Sequence, residues 1–363
     1  MHYYIISGEL SGDLYGSKLI DHLRRLDQHA EFTCWGGHYM KSKEVNLVRE
    51  LDSLSFMGFF EVFKNFKTIL NNYFFAKKNI RDVQPDALIL IDYPGFNLRI
   101  AKYAKQLNIP VYWFIAPQVW AWKESRINTM RKYIDKLFVA LPFELNYFQN
   151  VGIQTFYYGH PLMNVINNHL NESPPKVLGK PVIALLPGSR RQEIESMLPV
   201  MLQTVERFSN YRFIVIGANS IKRSFYEKFI ESFNVELTFN KEVLNSVHAA
   251  VTSSGTVTLE IAAYKIPQVV CYKLNQLSFL IARAFAKVKY IALVNLLADE
   301  IVVKELIQGE FNADNIESEL NQILDSNNRN NMITKYTQLM NELYKPECFN
   351  NISKTIYSHL VKE

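Results

Sequence analysis

Short apolar runs, each ending in a loop and followed by a helix-patterned stretch, recur along this chain and restrict its fold more than any other feature. Tyr3–Ser7, Ala87–Asp92, Val111–Ala116, Leu137–Leu141 and Thr155–Tyr158 read as strands, with helical stretches between them, beginning with Ser17–Leu26. A polar, proline-containing passage from Asn167 to Pro181 reads as a linker. The alternation then restarts with Val182–Leu186, Arg212–Ile216, Val235–Phe239, Ala249–Thr252 and Gln268–Tyr272. Runs that are apolar throughout belong to parallel sheets covered on both faces. The predicted fold is therefore α/β, with two Rossmann-like, doubly wound domains facing a cleft over residues 1–170 and 180–310. Ligands of such sheets bind beyond the carboxyl ends of the strands. Residues 311–363 read as polar helices, with a loop at the Asn-rich run Ser326–Asn331. Whether those helices return to the first domain is left open.

Two loops in the second half have the composition of phosphate cradles. VIALLPGSRRQEIE (Val182 to Glu195) and AAVTSSGTVTLEIAAYK (Ala249 to Lys265) each pass from an apolar run through small residues into a helix. Gly188-Ser189 and Ser254-Gly255-Thr256 would leave backbone N–H groups at a helix N-terminus, where the macrodipole also favours an anion. Arg190 adds a guanidinium fork suited to phosphate oxygens. Glu260 lies one turn after Thr256, placed to accept the two hydroxyls of a ribose. Each piece has an ordinary alternative: a Gly-Ser turn, a solvated Arg190-Arg191 pair, an exposed helix glutamate. Together in one half of the chain they point to a sugar nucleotide.

The 363 residues suffice for two domains, and 48% hydrophobic content with 13% aromatics supplies their cores. A net charge of +5 suits anionic substrates or a membrane surface, and no nucleic-acid signature accompanies it. Three scattered cysteines, Cys34, Cys271 and Cys348, fit a reducing compartment and form no metal cluster. The opening MHYYIISGELSGD is a strand and turn rather than a signal peptide, and no apolar run reaches a membrane span. A cytoplasmic protein is expected, with a membrane surface as one partner; a homo-oligomer stays open.

In the first half, SGELSGDLYG (Ser7 to Gly16) follows the first strand and opens a helix. Gly8 and Gly12 allow close backbone approach, and Ser11 and Asp13 are candidate caps or ligand contacts. LILIDYPGFN (Leu88 to Asn97) puts Asp92 at a strand end, as a helix cap or as an acid facing a ligand. IAPQVWAWKESR (Ile115 to Arg126) sets Trp120 and Trp122 beside another strand end, for packing or for lining a sugar or acyl site. From Ser55 to Lys78, Phe59, Phe63, Phe66, Leu70 and Tyr73 recur at helical spacing, broadened by Phe60, Phe74 and Phe75. A core-facing helix is the ordinary explanation. The aromatic load with Lys64, Lys67, Lys77 and Lys78 also fits a helix lying on an anionic bilayer, with Phe59, Phe60, Phe63, Phe66 and Phe74 docking. The apolar segment Leu277 to Leu297 carries Arg283, Lys287 and Lys289 and reads as a packed helix.

Taken in order, these motifs resemble lipid-A-disaccharide synthases. The resemblance rests on SGELSGDLYG, Gly36-Gly37, MGFFEV at Met57–Val62, IDYPGFN at Ile91–Asn97, and APQVWAWKESR at Ala116–Arg126. It continues through LPFE at Leu141–Glu144, YGHPL at Tyr158–Leu162, LLPGSR at Leu185–Arg190, SSGTVTLE at Ser253–Glu260, and VNLLADEIVVKELIQ at Val294–Gln308. It implies the GT-B glycosyltransferase fold. It also implies transfer of diacylglucosamine from a UDP-diacylglucosamine donor to the 6-hydroxyl of a diacylglucosamine 1-phosphate acceptor, at the cytoplasmic face of the inner membrane, without a metal or other cofactor. Carried over, Asp92 matches the catalytic aspartate, Arg190 an arginine at the donor diphosphate and Glu260 the acid at the nucleotide. Asn295 lies in a motif bordering the cleft. The chain departs from the family pattern at Leu10, Gly95 and Gln118, the last on the acceptor side. An α-linked donor and β-linked product require one displacement with inversion, hence one base and positive charge for the leaving diphosphate. Two alternatives are a UDP-sugar 2-epimerase on the same fold and a catalytically silent nucleotide-sugar-binding or membrane-docking module.

Overall fold

The computed structural model describes residues 1–51, 66–121, 124–170, 179–275, 279 and 288–362. The chain divides into two compact units, Met1–Asn164 with Leu343–Glu363, and Val165–Glu342.

The first unit is built on seven strands: β1 (His2–Ser7), β2 (Glu31–Gly36), β3 (Asn46–Glu50), β4 (Ala87–Ile91), β5 (Val111–Phe114), β6 (Lys136–Val139) and β7 (Thr155–Tyr157). Their order is β3-β2-β1-β4-β5-β6-β7, and every neighbouring pair is parallel. The central strands are buried on both faces, as their unbroken apolar runs require. Tyr4 and Trp35 take polar atoms into this core only as a bonded pair. The Trp35 indole donates to Tyr4 Oη at 2.9 Å, and Tyr4 donates to Asn79 at 2.7 Å. The helix Cys348–Leu360 closes the unit by packing on Leu10–Leu26. Phe349 meets Tyr15, His22 and Phe114, and Tyr112 Oη lies 2.7 Å from His359 Nδ1.

The second unit carries β8 (Val182–Leu186), β9 (Arg212–Ile216), β10 (Val235–Thr238), β11 (Val247–Ser253), β12 (Gln268–Tyr272) and β13 (Glu305–Ile307). They run β10-β9-β8-β11-β12-β13, again all parallel. Both sheets thus share the doubly wound order in which the strand sequence reverses beside the first strand. The reversal falls between β1 and β4 in one unit and between β8 and β11 in the other. Ser7 pairs with Ile91 and Leu186 with Thr252 at those places, so the loops that follow emerge side by side.

Three expectations change. The helix read as Ser17–Leu26 begins at Leu10, so Ser11, Gly12 and Asp13 lie inside its first turns and Glu9 is its N-cap residue. The Asn-rich run Ser326–Asn331 is not a loop but the first turns of the helix Ser326–Leu343. Asp325 caps it, accepting from the amides of Asn327 at 3.0 Å and Asn328 at 3.2 Å, which outweighs the turn preference of asparagine. The expected linker begins later than Asn167, because the helix Pro161–Leu170 continues through it. Residues 171–178 of that linker lie outside the described residues, as do 277–278 and 280–287 of the apolar segment Leu277–Leu297. Strands β2, β3 and β13 were not anticipated.

Candidate functional site

In the second unit, the two cradle loops stand together at the reversal of the sheet. The loop after β8 turns at Gly188, whose φ of +114° suits glycine, and a Cβ there would collide with the Glu193 carboxylate. Glu193 already occupies this loop. Its Oε2 accepts from Ser189 N at 2.9 Å and Arg190 N at 3.3 Å, and its Oε1 lies 3.1 Å from Arg190 Nη1. Arg190 is the N-cap residue of the helix Arg191–Leu202, and Glu193 stands at the capping-box position. The three-residue spacing from Arg190 to Glu193 was the signal that could have exposed this pairing. Tyr272, at the end of β12, faces the same pair: burial raises its phenol pKa, the Glu193 charge adds to the rise and Arg190 opposes it.

Beside it, β11 ends at Ser253, and Gly255, with φ +135°, is the N-cap residue of Thr256–Ala263. A Cβ at Gly255 would meet nothing within 4 Å, and Thr256 is exposed, so the helix N-terminus opens outward. Ser254 faces the protein, its amide bonded to Cys271 O and its hydroxyl to Ile291 O, each at 3.1 Å. Glu260 is largely buried, at 12% side-chain exposure, and pairs with Lys241 at 2.6 Å. Asn295 is buried, and its amide is wholly engaged. Nδ2 donates to Val303 O at 2.8 Å and Glu305 Oε1 at 2.9 Å, while Oδ1 accepts from the amides of Val302 and Val303. No donor or lone pair of that side chain is left for a ligand. Glu305 in turn accepts from the Ile291 and Ala292 amides, so Asn295 and Glu305 fix the segment on which Ser254 rests.

In the first unit, the reversal brings Gly8 against the β4 loop, where a Cβ on Gly8 would collide with the Tyr93 ring. Asp92 and Tyr93 adopt left-handed backbone, φ +48° and +53°, and so end β4 one residue earlier than the strand expected at Ala87–Asp92. Ile115, following β5, has φ +65°, a costly conformation for a β-branched residue. Adjacent strand ends therefore carry a cluster of strained non-glycine residues, the pattern found where side chains are held for function. Asn97 supports the bend by donating Nδ2 to the Asp92 carbonyl at 2.7 Å. Asp92 itself is half-buried, and burial pushes the Tyr93 phenol up to about 12.

Asp13 requires a correction. It does not cap its own helix; it is fully buried, and its carboxylate accepts from the Tyr39 and Met40 amides at 3.0 and 3.1 Å. Side chains at Gly36 or Gly37 would crowd that carboxylate, which accounts for the Gly-Gly pair. Gly12 packs against Ser7 and Ile91, and Ser11 is half-buried. Gln118 is the exposed residue of a loop whose Ala116, Pro117, Val119 and Ala121 are buried. Trp122 and Lys123 lie outside the described residues.

Sequence reasoning assigned no role to Glu144 of LPFE, although a carboxylate in the first turn of a proline-initiated helix was the available signal. It is buried beneath the strand-end loops, accepting from the Trp120 indole at 2.9 Å and from Leu141 N at 3.2 Å. Burial pushes its carboxyl up to about 7. The Trp120, Leu141 and Ala140 N–H groups oppose this, and the Asp92 charge adds to the rise.

Of the expected docking residues, Phe59, Phe60 and Phe63 lie outside the described residues, and Phe66 begins the helix Phe66–Val83. That helix is divided. Phe75 faces the core, against Trp35 and under Arg49, whereas Leu70 and Phe74 are exposed at 40% and 58%. Lys67, Lys78 and Arg81 are exposed on the same helix. No described helix is long and apolar enough to cross a membrane.

Comparison with known proteins places this architecture. Solved structures with the same fold include a UDP-GlcNAc 2-epimerase from Neisseria meningitidis bound to UDP-GlcNAc, at TM-score 0.64 and 14% identity, covering 100% of both chains. The S. aureus MnaA–UDP structure aligns at TM-score 0.69 and 13% identity, over 100% of this chain and 98% of that one. At such identity the likeness concerns the fold, which is GT-B-like. Sequence relatives are nearer. Lipid-A-disaccharide synthase of Coxiella burnetii is 33% identical over 98% of this chain and 97% of its own length. That of Geobacter metallireducens is 34% identical over 88% and 87%, and lipid-A-disaccharide synthase 1 of Legionella pneumophila 33% over 93% and 92%. The family model for lipid-A-disaccharide synthetase matches residues 3–356, and the chain belongs to that family of glycosyltransferases.

Proposed function

We propose that the chain carries out the family reaction with the donor held by the second unit and the chemistry supplied by the first. UDP-diacylglucosamine gives up its sugar to the 6-hydroxyl of diacylglucosamine 1-phosphate, with inversion, forming the β-1,6 disaccharide 1-phosphate and UDP. The observation that carries the donor assignment is the pairing of Gly188 and Gly255 loops at one sheet reversal, where doubly wound sheets bind nucleotides. There the diphosphate meets Arg190 and the first-turn amides of Thr256–Ala263. Glu260 accepts the ribose hydroxyls, exchanging its Lys241 partner for them. Ser254 and Asn295 act by holding the loop in place.

Asp92 is the general base. Its strained position at the end of β4 fixes the carboxylate where an acceptor approaches, and it takes the hydroxyl proton as the new bond forms. Arg190 offsets the charge that develops on the departing diphosphate. Gln118 meets the acceptor beside it. The protein works as a peripheral enzyme on the cytoplasmic face of the inner membrane, with the Leu70–Phe74 face of Phe66–Val83 in the acyl boundary and its basic residues at anionic headgroups.

Mass spectrometry of the product from synthetic UDP-diacylglucosamine and diacylglucosamine 1-phosphate tests the reading. A tetraacyl disaccharide monophosphate is expected; recovery of unjoined sugars with wild-type protein would refute it.

A further inference from the structure

Glu144 is buried and takes no direct part in the reaction as described, yet its bonds run straight to the acceptor side. The strands β4, β5 and β6 are neighbours, and their carboxyl ends carry Asp92, the Ile115–Ala121 segment and the Leu141–Glu144 turn. Glu144 links the last two. One oxygen accepts from the Trp120 indole, the other from Leu141 N. Trp120 is also wedged edge-on against Phe143, ring centroids 4.9 Å apart. The loop so held is packed on its inner side through Ala116, Val119 and Ala121, and presents Gln118 outward. It begins at Ile115, whose left-handed backbone is held by the Trp113 indole donating to its carbonyl at 2.9 Å and by its own amide donating to Phe138 O.

We propose that Glu144 is a positioning residue for the acceptor sugar. Through the Trp120 indole it holds the Ala116–Ala121 loop, and with it Gln118, in place at the sheet edge that also carries Asp92. The proposal rests on the reading of Asp92 as the base. Asp92 and Glu144 follow β4 and β6, the strands that flank β5 in one parallel sheet, and the Asp92 charge adds to the rise of the Glu144 carboxyl. A carboxylate suits this task better than a neutral side chain, because both of its oxygens accept and two N–H donors converge on it. Glutamine would turn an NH2 group toward one of those donors.

The test uses the full-length enzyme in mixed micelles and compares Glu144→Gln, Trp120→Phe and the double variant with wild type. Trp120→Phe removes the indole N–H, at the cost of one ring's packing volume, and keeps an aromatic ring against Phe143. Both single variants are expected to raise the acceptor KM about tenfold, while UDP affinity by calorimetry stays at wild type. The double variant should be no worse than Glu144→Gln alone, since both changes cut the same bond. Wild-type acceptor KM in folded Trp120→Phe, or additive losses in the double variant, would overturn the proposal. A Glu144→Gln protein that binds neither substrate would also overturn it, since that is the outcome of a general scaffold residue. Asp92→Asn measured in parallel keeps the two readings apart. If it turns over normally the base assignment fails, whatever Glu144 does. If it is inactive while acceptor KM ignores Glu144, only the present proposal fails.

Discussion

At the reversal of the second sheet the left-handed positions are glycines, Gly188 at φ +114° and Gly255 at +135°. At the corresponding place in the first sheet they are Asp92 and Tyr93, at +48° and +53°, with Ile115 one strand further on at +65°. The same topology is thus finished in two ways. Glycine removes the side chain: at Gly255 this leaves the helix N-terminus open, and at Gly188 it makes room for the Glu193 carboxylate on the Ser189 and Arg190 amides. A non-glycine residue in the same conformation costs on the order of 1–3 kcal/mol and is retained where the side chain itself must be held in one place. The contrast fits the proposed division, with donor binding in the second unit and side-chain chemistry in the first.

The largest effect that would sharpen this contrast is on turnover. Asp92→Asn keeps the shape, removes the basicity and places in the left-handed region a residue that tolerates it well. A fall in kcat of about a hundredfold or more is expected, with an unchanged or slightly raised melting temperature. Were Asp92 only a helix cap, melting temperature and activity would decline together. Arg190→Ala should lower kcat by roughly ten- to a hundredfold and weaken UDP binding less, because its charge matters most as the diphosphate leaves. Equal losses in both would make Arg190 a simple binding residue.

On the backbone side, Gly188→Ala should cost more stability than Gly255→Ala in chemical denaturation. Both force alanine into a glycine conformation, at about 1–3 kcal/mol, but only at position 188 does the new Cβ meet Glu193. A reversed order would mean that Glu193 moves aside freely. The smallest effect lies away from both reversals. Changing Leu70 and Phe74 to serine should reduce sedimentation with anionic liposomes severalfold and leave kcat on micellar substrate near wild type, since both side chains are already exposed. Unaltered liposome binding would place the membrane contact elsewhere.

Much of this was readable in the sequence, for a physical reason. Strands buried on both faces are unbroken apolar runs, and turns with left-handed backbone need glycine, so Val182–Leu186 with Gly188 and Ala249–Thr252 with Gly255 advertise themselves locally. What stayed hidden depends on partners distant in sequence. Asp13 reads as a cap of its own helix until its carboxylate is seen to hold the Tyr39 and Met40 amides. Asn295 looks like a binding amide until the Val302–Val303 turn is seen to use all of it. The Ser326–Asn331 run has the composition of a loop, and the Asp325 cap makes it a helix. Glu144 gives no local sign that Trp120 will reach it.

The division of labour between the units is tested most directly by calorimetric titration of UDP into Asp92→Asn and Glu260→Ala, side by side with wild type. Asp92→Asn should bind UDP with wild-type affinity. Glu260→Ala should bind about tenfold more weakly, as the loss of one or two charge-assisted hydrogen bonds predicts. Equal weakening in the two variants, or wild-type affinity in Glu260→Ala, would contradict the assignment of the donor to the second unit.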